Sequence, residues 1–346
     1  MKLAIVFGAQ SFEHEISIVS AIALKKVLTW ELIYIFCDNN RNFYNIPTDE
    51  INSKRFSSGA YLKDTSLLLK QGGFFYKKMF SEAKLECDVV LNLIHGADGE
   101  DGKMSALLDF FNIPYIGPRI EASCISYNKL FTKLFAKEVG VNVLEYQLLN
   151  KQNPEEICIP FPLIIKPLRL GSSIGISVVK EKSELAYALD VAFEFDNAVL
   201  VEPFIQGIKE YNLAGAFCND GFHFSIIEEP QKEEFLDFDK KYLDFSRTKR
   251  VNEASLSLEL QEALKNAFAK LYQPLFAGAL IRCDFFVLEN TVYLNEINPI
   301  PGSMGNYLFN DFQGVLEALS KALPKNTLVP TQQYRYINSI QAAKGK

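Results

Sequence analysis

Continuous apolar runs alternate with amphipathic segments in the first third of the chain. The apolar runs, which are typical of buried strands, cover residues 3–7, 32–37 and 87–94. Segments 16–28 and 104–111 instead carry apolar residues at helical spacing. Because strands alternate with helices, the pattern predicts an α/β domain with an open, doubly wound sheet. Functional groups of such sheets lie just beyond the carboxyl ends of strands, and this is where Glu13 and His95 occur.

The pattern changes near residue 120, where a predicted helix is followed by closely spaced strands. The helix covers 128–139, with Leu130 and Leu134 at i,i+4 spacing and Gly140 at the expected stop. Strand candidates follow at 161–166, 175–180, 198–202, 211–217, 222–227, 280–288 and 291–298, with a helix around 258–271. Strands in quick succession indicate an α+β region. We therefore predict domains at 1–120, 121–210 and 211–346.

Composition narrows the class of protein. The 346 residues include 36 Lys and Arg against 42 Asp and Glu, a net charge of −6, which argues against a general nucleic-acid or membrane-surface binder. The six cysteines are scattered and there are only three histidines, so no pattern indicates a structural zinc site. Isolated thiols fit a reducing compartment. No apolar run resembles a signal core or the roughly 20 residues of a membrane span, so we expect a cytoplasmic protein.

The last two predicted strands suggest a polar cluster. If they form a hairpin with the three-residue loop 289–291, one face carries two carboxylates, an amide and a guanidinium, and the other face is apolar. The predicted cross-strand pairs are Asp284 with Glu296 and Arg282 with Asn298. Oxygen ligands of this kind suit Mg²⁺ that bridges phosphates. A solvent-facing side with a surface salt bridge is the alternative, and a two-residue loop would split the set.

Two further segments could hold phosphate or cover a site. Segment 166–175, Lys-Pro-Leu-Arg-Leu-Gly-Ser-Ser-Ile-Gly, lies between predicted strands, so its backbone N–H groups and Lys166 could surround phosphate oxygens. An ordinary hairpin loop is the alternative interpretation. Segment 228–250 has six acids at 228–239 and then five basic residues at 240–250, and it predicts a long exposed loop of functional importance.

Two acidic segments follow predicted strands of the first domain. Segment 95–102, His-Gly-Ala-Asp-Gly-Glu-Asp-Gly, allows close backbone approach to a ligand, although Asp101 could simply cap the next helix. Segment 11–17 places Glu13 and Glu15 at a helix N-terminus, which the helix dipole alone would favour. Each segment by itself is a weak signal of function.

Five motifs, taken together and in order, resemble the D-alanine–D-alanine ligases, a branch of the ATP-grasp superfamily. They are Ser-x-Glu-His-Glu-x-Ser, His-Gly-x-x-Gly-Glu-Asp-Gly, Lys-Pro-x-x-x-Gly-Ser-Ser-x-Gly, Arg-x-Asp-Phe and Asn-Glu-Ile-Asn-Pro-x-Pro-Gly. The resemblance extends from residue 2 to about residue 320. It implies an N-terminal α/β substrate domain followed by a two-part ATP-grasp region, formed by the second and third predicted domains.

The resemblance implies ATP-driven synthesis of D-Ala–D-Ala for the bacterial cell wall. The first D-alanine is phosphorylated on its carboxylate, and the amine of the second then attacks the acyl phosphate. The residues implied to hold two Mg²⁺ ions, for which Mn²⁺ could substitute, are Asp284, Glu296 and Asn298. The residues implied to bind ATP are Lys129, Lys166, Ser172, Glu202 at the adenine hinge, Glu210 at the ribose, and Lys241.

The resemblance also implies a site for each D-alanine. Glu13 resembles the family's anchor for the first ammonium group, and it forms a hydrogen-bonded set with Ser172 and Tyr242. Arg282 and the Gly302 backbone N–H form the oxyanion hole, whose donors typically contribute about 10²–10³ in rate each. The further residues implied to bind D-alanine are His95, Lys241, Tyr307 and Leu308. Tyr307 replaces the serine that holds the second carboxylate in the family.

Three rival functions remain open from the sequence. A sibling enzyme that makes D-Ala–D-lactate generally lacks the tyrosine at position 242, so Tyr242 favours the dipeptide. A different ATP-grasp carboxylate–amine ligase is also compatible with the motifs. A nucleotide-binding protein without turnover is the third rival, and Glu13, Tyr242 and Arg282 argue against it because ATP binding alone does not need them. The resemblance further implies a homodimer, and it implies that loop 228–250 is a lid that is mobile without ligand and ordered with ATP.

Overall fold

A computed structural model gives the structure of the protein, and it describes residues 1–153, 155–230, 251–325 and 335–343. Within these ranges the strands form three sheets. No helix in the same ranges combines the length and the apolar character that crossing a bilayer requires.

The first sheet is built from the N-terminal part of the chain. Its strands are β1 (Lys2–Gly8), β2 (Glu31–Cys37), β3 (Phe43–Ile46), β4 (Thr65–Lys70), β5 (Gly73–Lys77), β6 (Glu82–Lys84), β7 (Val89–Asn92) and β8 (Tyr115–Ile116). The helices of this part are α1 (His14–Leu24), α2 (Ser53–Ser57), α3 (Lys103–Phe110) and α4 (Ile120–Tyr127). The strand order is β6-β5-β4-β3-β2-β1-β7-β8.

Helices cover both faces of β1, as the doubly wound prediction requires. Phe7 and alternate residues of β1 pack with α1 residues such as Ile18 in one apolar cluster. Val6 and its alternates pack with Met104 and Leu108 of α3 in another. The predicted α/β class is therefore confirmed.

The antiparallel strands β3 to β6 extend this sheet beyond β2, and the sequence pattern did not predict them. They are short, and most of their residues are exposed or half-buried. Strands of this kind lack the continuous apolar run that marked β1, β2 and β7, because only part of each strand faces a core.

The second sheet lies in the middle of the chain and is antiparallel. Its strands are β10 (Gln147–Asn150), β11 (Leu163–Pro167), β12 (Ser177–Val179) and β13 (Ala198–Pro203), in the order β10-β13-β11-β12. The neighbouring elements are α5 (Lys129–Glu138), β9 (Asn142–Val143) and α6 (Leu185–Phe193). The helix predicted at 128–139 is confirmed, and the Asn128 side chain caps it by accepting hydrogen bonds from two backbone N–H groups.

The third sheet contains the strands that carry the residues predicted to bind the cation. Its own strands are β14 (Lys209–Cys218), β15 (Gly221–Glu228), β16 (Ile281–Leu288) and β17 (Thr291–Asn298). The order is β15-β14-β16-β17-β9, so that β9 adds a parallel strand from earlier in the chain. The helices are α7 (Leu258–Tyr272), α8 (Phe312–Lys321) and α9 (Arg335–Ala343), and a 3₁₀ segment covers Gly302–Leu308.

The hairpin of β16 and β17 has the predicted pairs, although its loop is shorter than predicted. Leu288 pairs with Thr291, so residues 289–290 form a two-residue loop, and the prediction of a three-residue loop is wrong. The pairs further from the loop are those predicted, Asp284 with Glu296 and Arg282 with Asn298. An extra residue in β17 must therefore compensate for the shorter loop.

That extra residue is Asn295, which lies at a β-bulge. Leu294 and Ile297 on either side of the bulge both pack in the apolar core. The two residues between them, Asn295 and Glu296, line the cavity on the opposite face. A bulge inserts one residue without breaking the sheet, so the predicted carboxylate face is kept and gains an amide.

The first and third sheets share one apolar core. It combines residues of β1 and α1 with Met304 and Leu308 of the 3₁₀ segment and with Phe312 of α8. A hydrogen bond also joins the two parts, from the backbone N–H of Ser303 to the hydroxyl of Ser20, at 3.0 Å. This contact holds the 3₁₀ segment against α1, whose N-terminus follows Glu13.

Gly99 allows the loop after β7 to fold back tightly. A Cβ atom at this position would lie 1.8 Å from the backbone oxygen of Ile94. Backbone cannot yield as a flexible side chain can, so this loop, which carries His95, depends on glycine here.

We expect Gly99→Ala to lower the free energy of unfolding by at least about 3 kcal/mol, because the new methyl group must displace backbone. The matched control is Gly72→Ala, at φ +80° with nothing within 4 Å. It should lose only the 1–2 kcal/mol or so of left-handed strain. Urea unfolding of both variants measures the difference, and equal losses would contradict the close-contact explanation.

Candidate active site

A cavity of about 480 Å³ brings the predicted site residues together. Its walls come from loops that follow β1 and β7 and from strands of the second and third sheets. The predicted residues that line it are Glu13, His95, Lys129, Lys166, Ser172, Glu202, Glu210, Arg282, Asp284, Glu296, Asn298, Gly302 and Tyr307. The volume is within the range of small-molecule sites, and the many charged side chains of the lining indicate a charged ligand.

Three predicted residues stand apart from this set. Leu308 is 1% exposed and packs in the core shared by the first and third sheets rather than on the cavity wall. Lys241 and Tyr242 lie outside the described residues, as does most of the predicted lid 228–250. Their roles stay predictions.

The hairpin of β16 and β17 forms the acidic wall of the cavity. Arg282 donates two hydrogen bonds to Asp284, from Nε at 2.6 Å and from Nη2 at 2.8 Å. The Asn298 amide donates a third to Asp284, at 3.0 Å. Burial raises the pKa of Asp284, with Arg282 acting in the opposite direction. The surface salt bridge considered for this face is therefore excluded, because the Asp284 and Arg282 side chains are only 4% and 16% exposed.

Glu210 of β14 adds a further carboxylate to this wall. Burial, followed by the charges of Asp284 and Glu296, raises the pKa of Glu210 to about 7. Acids that raise each other's pKa in a buried space create a demand for a cation. Within the described ranges no three His, Cys, Asp or Glu side chains group as a metal site, but two carboxylates with an amide oxygen fit Mg²⁺ that completes its shell with phosphate and water.

Two lysines, Lys129 and Lys166, also line the cavity and form what we call the lysine wall. Lys166 lies 2.6 Å from Oε2 of Glu202, and it donates to Oδ1 of Asn295 at 3.2 Å. Lys129 donates to the backbone oxygen of Leu170 at 2.5 Å. Burial lowers the pKa of Lys129. Two buried ammonium groups facing acidic strands suit a polyanion such as a nucleotide phosphate chain.

The structure adds Lys133 to this group, and sequence reasoning missed it. Its ammonium pairs with Oε1 of Glu202, and both side chains are 3% exposed. Burial alone would raise the pKa of Glu202, but Lys166 and Lys133 lower it to about 2. The available signal was the position of Lys133 one helical turn after Lys129, which places both on one face of α5.

A second cluster lies where the loops of the first sheet meet segment 171–175. Ser172 donates to Oε1 of Glu13 at 2.5 Å. Burial, and then the charge of Glu100, raises the pKa of Glu13 to about 7. Oε2 of Glu13 is buried and accepts no hydrogen bond within the described structure. An ammonium group placed beside this oxygen would supply the missing donors.

His95 and Glu100 complete this second cluster. Nε2 of His95 lies 3.0 Å from the Ser20 hydroxyl, and Nδ1 lies 3.6 Å from Oε1 of Glu100. Burial lowers the pKa of His95 to about 4, so the ring is neutral near pH 7. Burial raises the pKa of Glu100 to about 7. Glu100, which also lines the cavity, was part of a predicted motif but not of the predicted site.

Two backbone segments approach the cavity in the left-handed region. Ser172 and Ser173 have φ of 55° and 58°, and Ser303 and Met304 have φ of 47° and 55°. Residues other than glycine rarely adopt this conformation, so the surrounding structure must hold it in place. Such strain at both predicted binding loops is typical of functional segments.

Tyr307 lies beside the predicted oxyanion hole. Its hydroxyl is 3.5 Å from Nη1 of Arg282, and the side chain is 7% exposed. Gly302 also lines the cavity. Ser303 is fully buried and is not among the residues that line the cavity, so it does not take the place of the missing family serine there.

Comparisons with known proteins match the whole architecture. Residues 2–118 match the family model D-ala D-ala ligase N-terminus, and residues 135–311 match D-ala D-ala ligase C-terminus. The chain is 60% identical to D-alanine–D-alanine ligase of Wolinella succinogenes and 58% identical to that of Campylobacter jejuni subsp. jejuni, with 100% of each chain covered.

Solved structures show the same likeness. The crystal structure of D-alanine–D-alanine ligase from Helicobacter pylori is 51% identical, with a TM-score of 0.85 over 94% of this chain and 99% of that one. The enzyme from Coxiella burnetii, at 22% identity and a TM-score of 0.75 over 100% of both chains, shares the fold. The chain therefore belongs to the D-alanine–D-alanine ligase family.

Proposed function

We propose that the protein joins two D-alanines into D-Ala–D-Ala, using ATP. The observation that carries the proposal is the single cavity in which three chemistries lie side by side. One wall holds buried lysines, one holds the carboxylates of the β16–β17 hairpin, and one holds Glu13 with an unpaired buried oxygen. These match a phosphate chain, its cation and an ammonium group, which are the parts of ATP and an amino acid.

We assign ATP to the part of the cavity that is lined by Lys129 and Lys166. Lys129 and Lys166 bind phosphate oxygens, and backbone N–H groups of the left-handed Ser172–Ser173 segment, which also lines the cavity, assist them. Glu202 lies at the end of β13, beside the adenine, and Glu210 lies at the ribose. Phosphoryl transfer depends chiefly on positioning and charge neutralisation, which these groups supply.

The cation end is assigned to Asp284, Glu296 and Asn298. Bound Mg²⁺ would neutralise phosphate charge during transfer. We propose two ions at this set, with Mn²⁺ as a substitute. Arg282 holds Asp284 in place through two hydrogen bonds, which fixes the acceptor face before substrate arrives.

The D-alanine ends are assigned from the second cluster and the 3₁₀ segment. Glu13 accepts the ammonium of the first D-alanine, and Ser172 orients the Glu13 carboxylate. His95, neutral and buried, lies on the same side of the cavity. When the second amine attacks the acyl phosphate, the C–N bond forms, phosphate leaves, and Arg282 with the Gly302 N–H receives the developing oxyanion. Tyr307 takes the position of the family serine at the second carboxylate.

Further parts of the proposal rest on the family rather than on the cavity. We propose that Lys241 and Tyr242 act on the second carboxylate and in the Glu13 set, and that Leu308 supports the second D-alanine site from the core. We also propose a homodimer, a cytoplasmic location and domain bounds at 1–120, 121–210 and 211–346.

The direct test measures phosphate release from Mg-ATP with D-alanine, with L-alanine, and with D-alanine plus D-lactate, followed by the product mass. The expected result is release with D-alanine alone and a product with the mass of the dipeptide. A depsipeptide mass would identify the D-lactate sibling activity. Tight ATP binding without release would contradict the proposal.

We expect Glu296→Gln to reduce turnover by at least about 10³-fold while Mg-ADP affinity changes less than about tenfold, because the lysine wall still binds phosphate. Calorimetric ADP binding and phosphate release measure the two effects. Glu262→Gln, on the exposed side of α7, is the matched control and should change neither. Turnover near the normal rate in Glu296→Gln would refute the assignment of this carboxylate to the cation.

The pKa of about 7 for Glu13 predicts an acid limb in the pH profile. Because burial raises this pKa, the carboxyl is protonated below pH 7 and cannot pair with an ammonium group. We expect kcat/KM for the first D-alanine to fall roughly tenfold per pH unit below about pH 7. Initial rates at low D-alanine measure this, with Glu13→Gln as a slow, flat reference. A flat profile in the unmodified protein from pH 6 to 8 would contradict it.

A further inference from the structure

Lys133 is a buried cation without contact with the cavity. It lies on α5 one turn after Lys129, and its side chain is 3% exposed. Lys129, Lys166 and Glu202 line the cavity, whereas Lys133 is not among the lining residues. It pairs with Glu202 from the side away from the cavity, so Lys133 can affect a bound ligand only through the Glu202 carboxylate.

The Glu202 carboxylate is shared between two ammonium groups. Lys133 pairs with Oε1, and Lys166 lies 2.6 Å from Oε2. Lys166 reaches this position because the β11–β13 register pairs Ile164 with Glu202 and Lys166 with Leu200, which puts both charged side chains on one face. The arrangement is a buried Lys–Glu–Lys triad with a net charge of +1.

The single ammonium group of Lys166 is needed by two sets of partners. It is hydrogen-bonded to Asn295 and paired with Glu202, yet it must also bind phosphate in the proposed reaction. A buried carboxylate with a single cation partner holds that partner strongly, because separation would leave an uncompensated buried charge. With Lys133 in place, Glu202 is already neutralised when Lys166 turns toward phosphate.

We propose that Lys133 is a positioning residue for the nucleotide: it neutralises Glu202 from the far side and so frees the Lys166 ammonium for phosphate oxygens. The inference rests on the proposed function only in requiring that the cavity bind ATP. It differs from a purely structural ion pair, whose loss would weaken α5 packing whatever the charge of residue 202.

The test is a double-mutant cycle read by nucleotide binding without D-alanine. Binding of Mg²⁺ with the non-hydrolysable β,γ-imido analogue of ATP is measured by calorimetry for the unmodified protein, Lys133→Met, Glu202→Gln and the double variant. We expect Lys133→Met to weaken binding at least tenfold in the unmodified background. In the Glu202→Gln background the same change should cost less than twofold, because no carboxylate remains to hold Lys166.

Lys137→Met is the matched control. Lys137 lies one further turn along α5 and, like Lys133, lies over the ring of Tyr146, with its ammonium 4.5 Å from the centroid. It is exposed and pairs with no carboxylate among the described residues, so we expect less than a twofold change. Circular dichroism checks that each variant folds, and Lys133→Gln replaces Lys133→Met if the latter does not.

The possible results of these measurements separate the inference about Lys133 from the proposed function. Equal losses from Lys133→Met in both backgrounds, or no loss in the unmodified background, would overturn the inference. Nucleotide binding with the expected cycle, but no dipeptide in the ligase assay, would leave the role of Lys133 intact and remove the proposed function. Absence of nucleotide binding in the unmodified protein would remove both.

Discussion

The need to compensate buried charge governs this structure more than any single contact. The cavity is lined by acids of the third sheet and by lysines of α5 and β11, and Asp284 and Lys166 among them are buried. An isolated buried charge costs several kcal/mol or more, so each must have a partner or a ligand. Arg282 meets Asp284, and two lysines meet Glu202, while Glu210 and Glu13 keep raised pKa values. The charges that the protein itself does not fully compensate, those of Glu210 and Glu13, therefore determine which ligands the cavity can bind.

Much of the site could be predicted from the sequence because its residues lie on regular elements. Alternation along two strands placed Asp284 opposite Glu296, and the structure has that pair. The predicted loop was nevertheless wrong, and the pair survives only because of the bulge at Asn295. The alternation of side chains along a strand predicts which face a residue occupies. It does not reveal an inserted residue that restores the same face.

The burial of Lys133 could not be predicted from the pattern of apolar and polar residues. The i,i+4 spacing of Leu130 and Leu134 predicted the helix α5 but not its buried face: Leu134 is 50% exposed, while Lys133 is buried. The rule that charges face solvent fails here because Glu202, far away in sequence, supplies the compensation. Strands β3 to β6 were missed for a related reason, since their half-exposed residues leave little pattern to detect.

Strand β9 has a consequence for how the chain assembles. Its Asn142 side chain donates to the backbone oxygen of Val292, 150 residues further along. The second sheet, by contrast, forms from one continuous segment, so it can close while later residues are still being synthesised. The third sheet must wait for β17 before β9 has a partner, and non-local pairing of this kind slows folding. During synthesis, the edge of β9 therefore stays unpaired and exposed until the C-terminal third of the chain has been made.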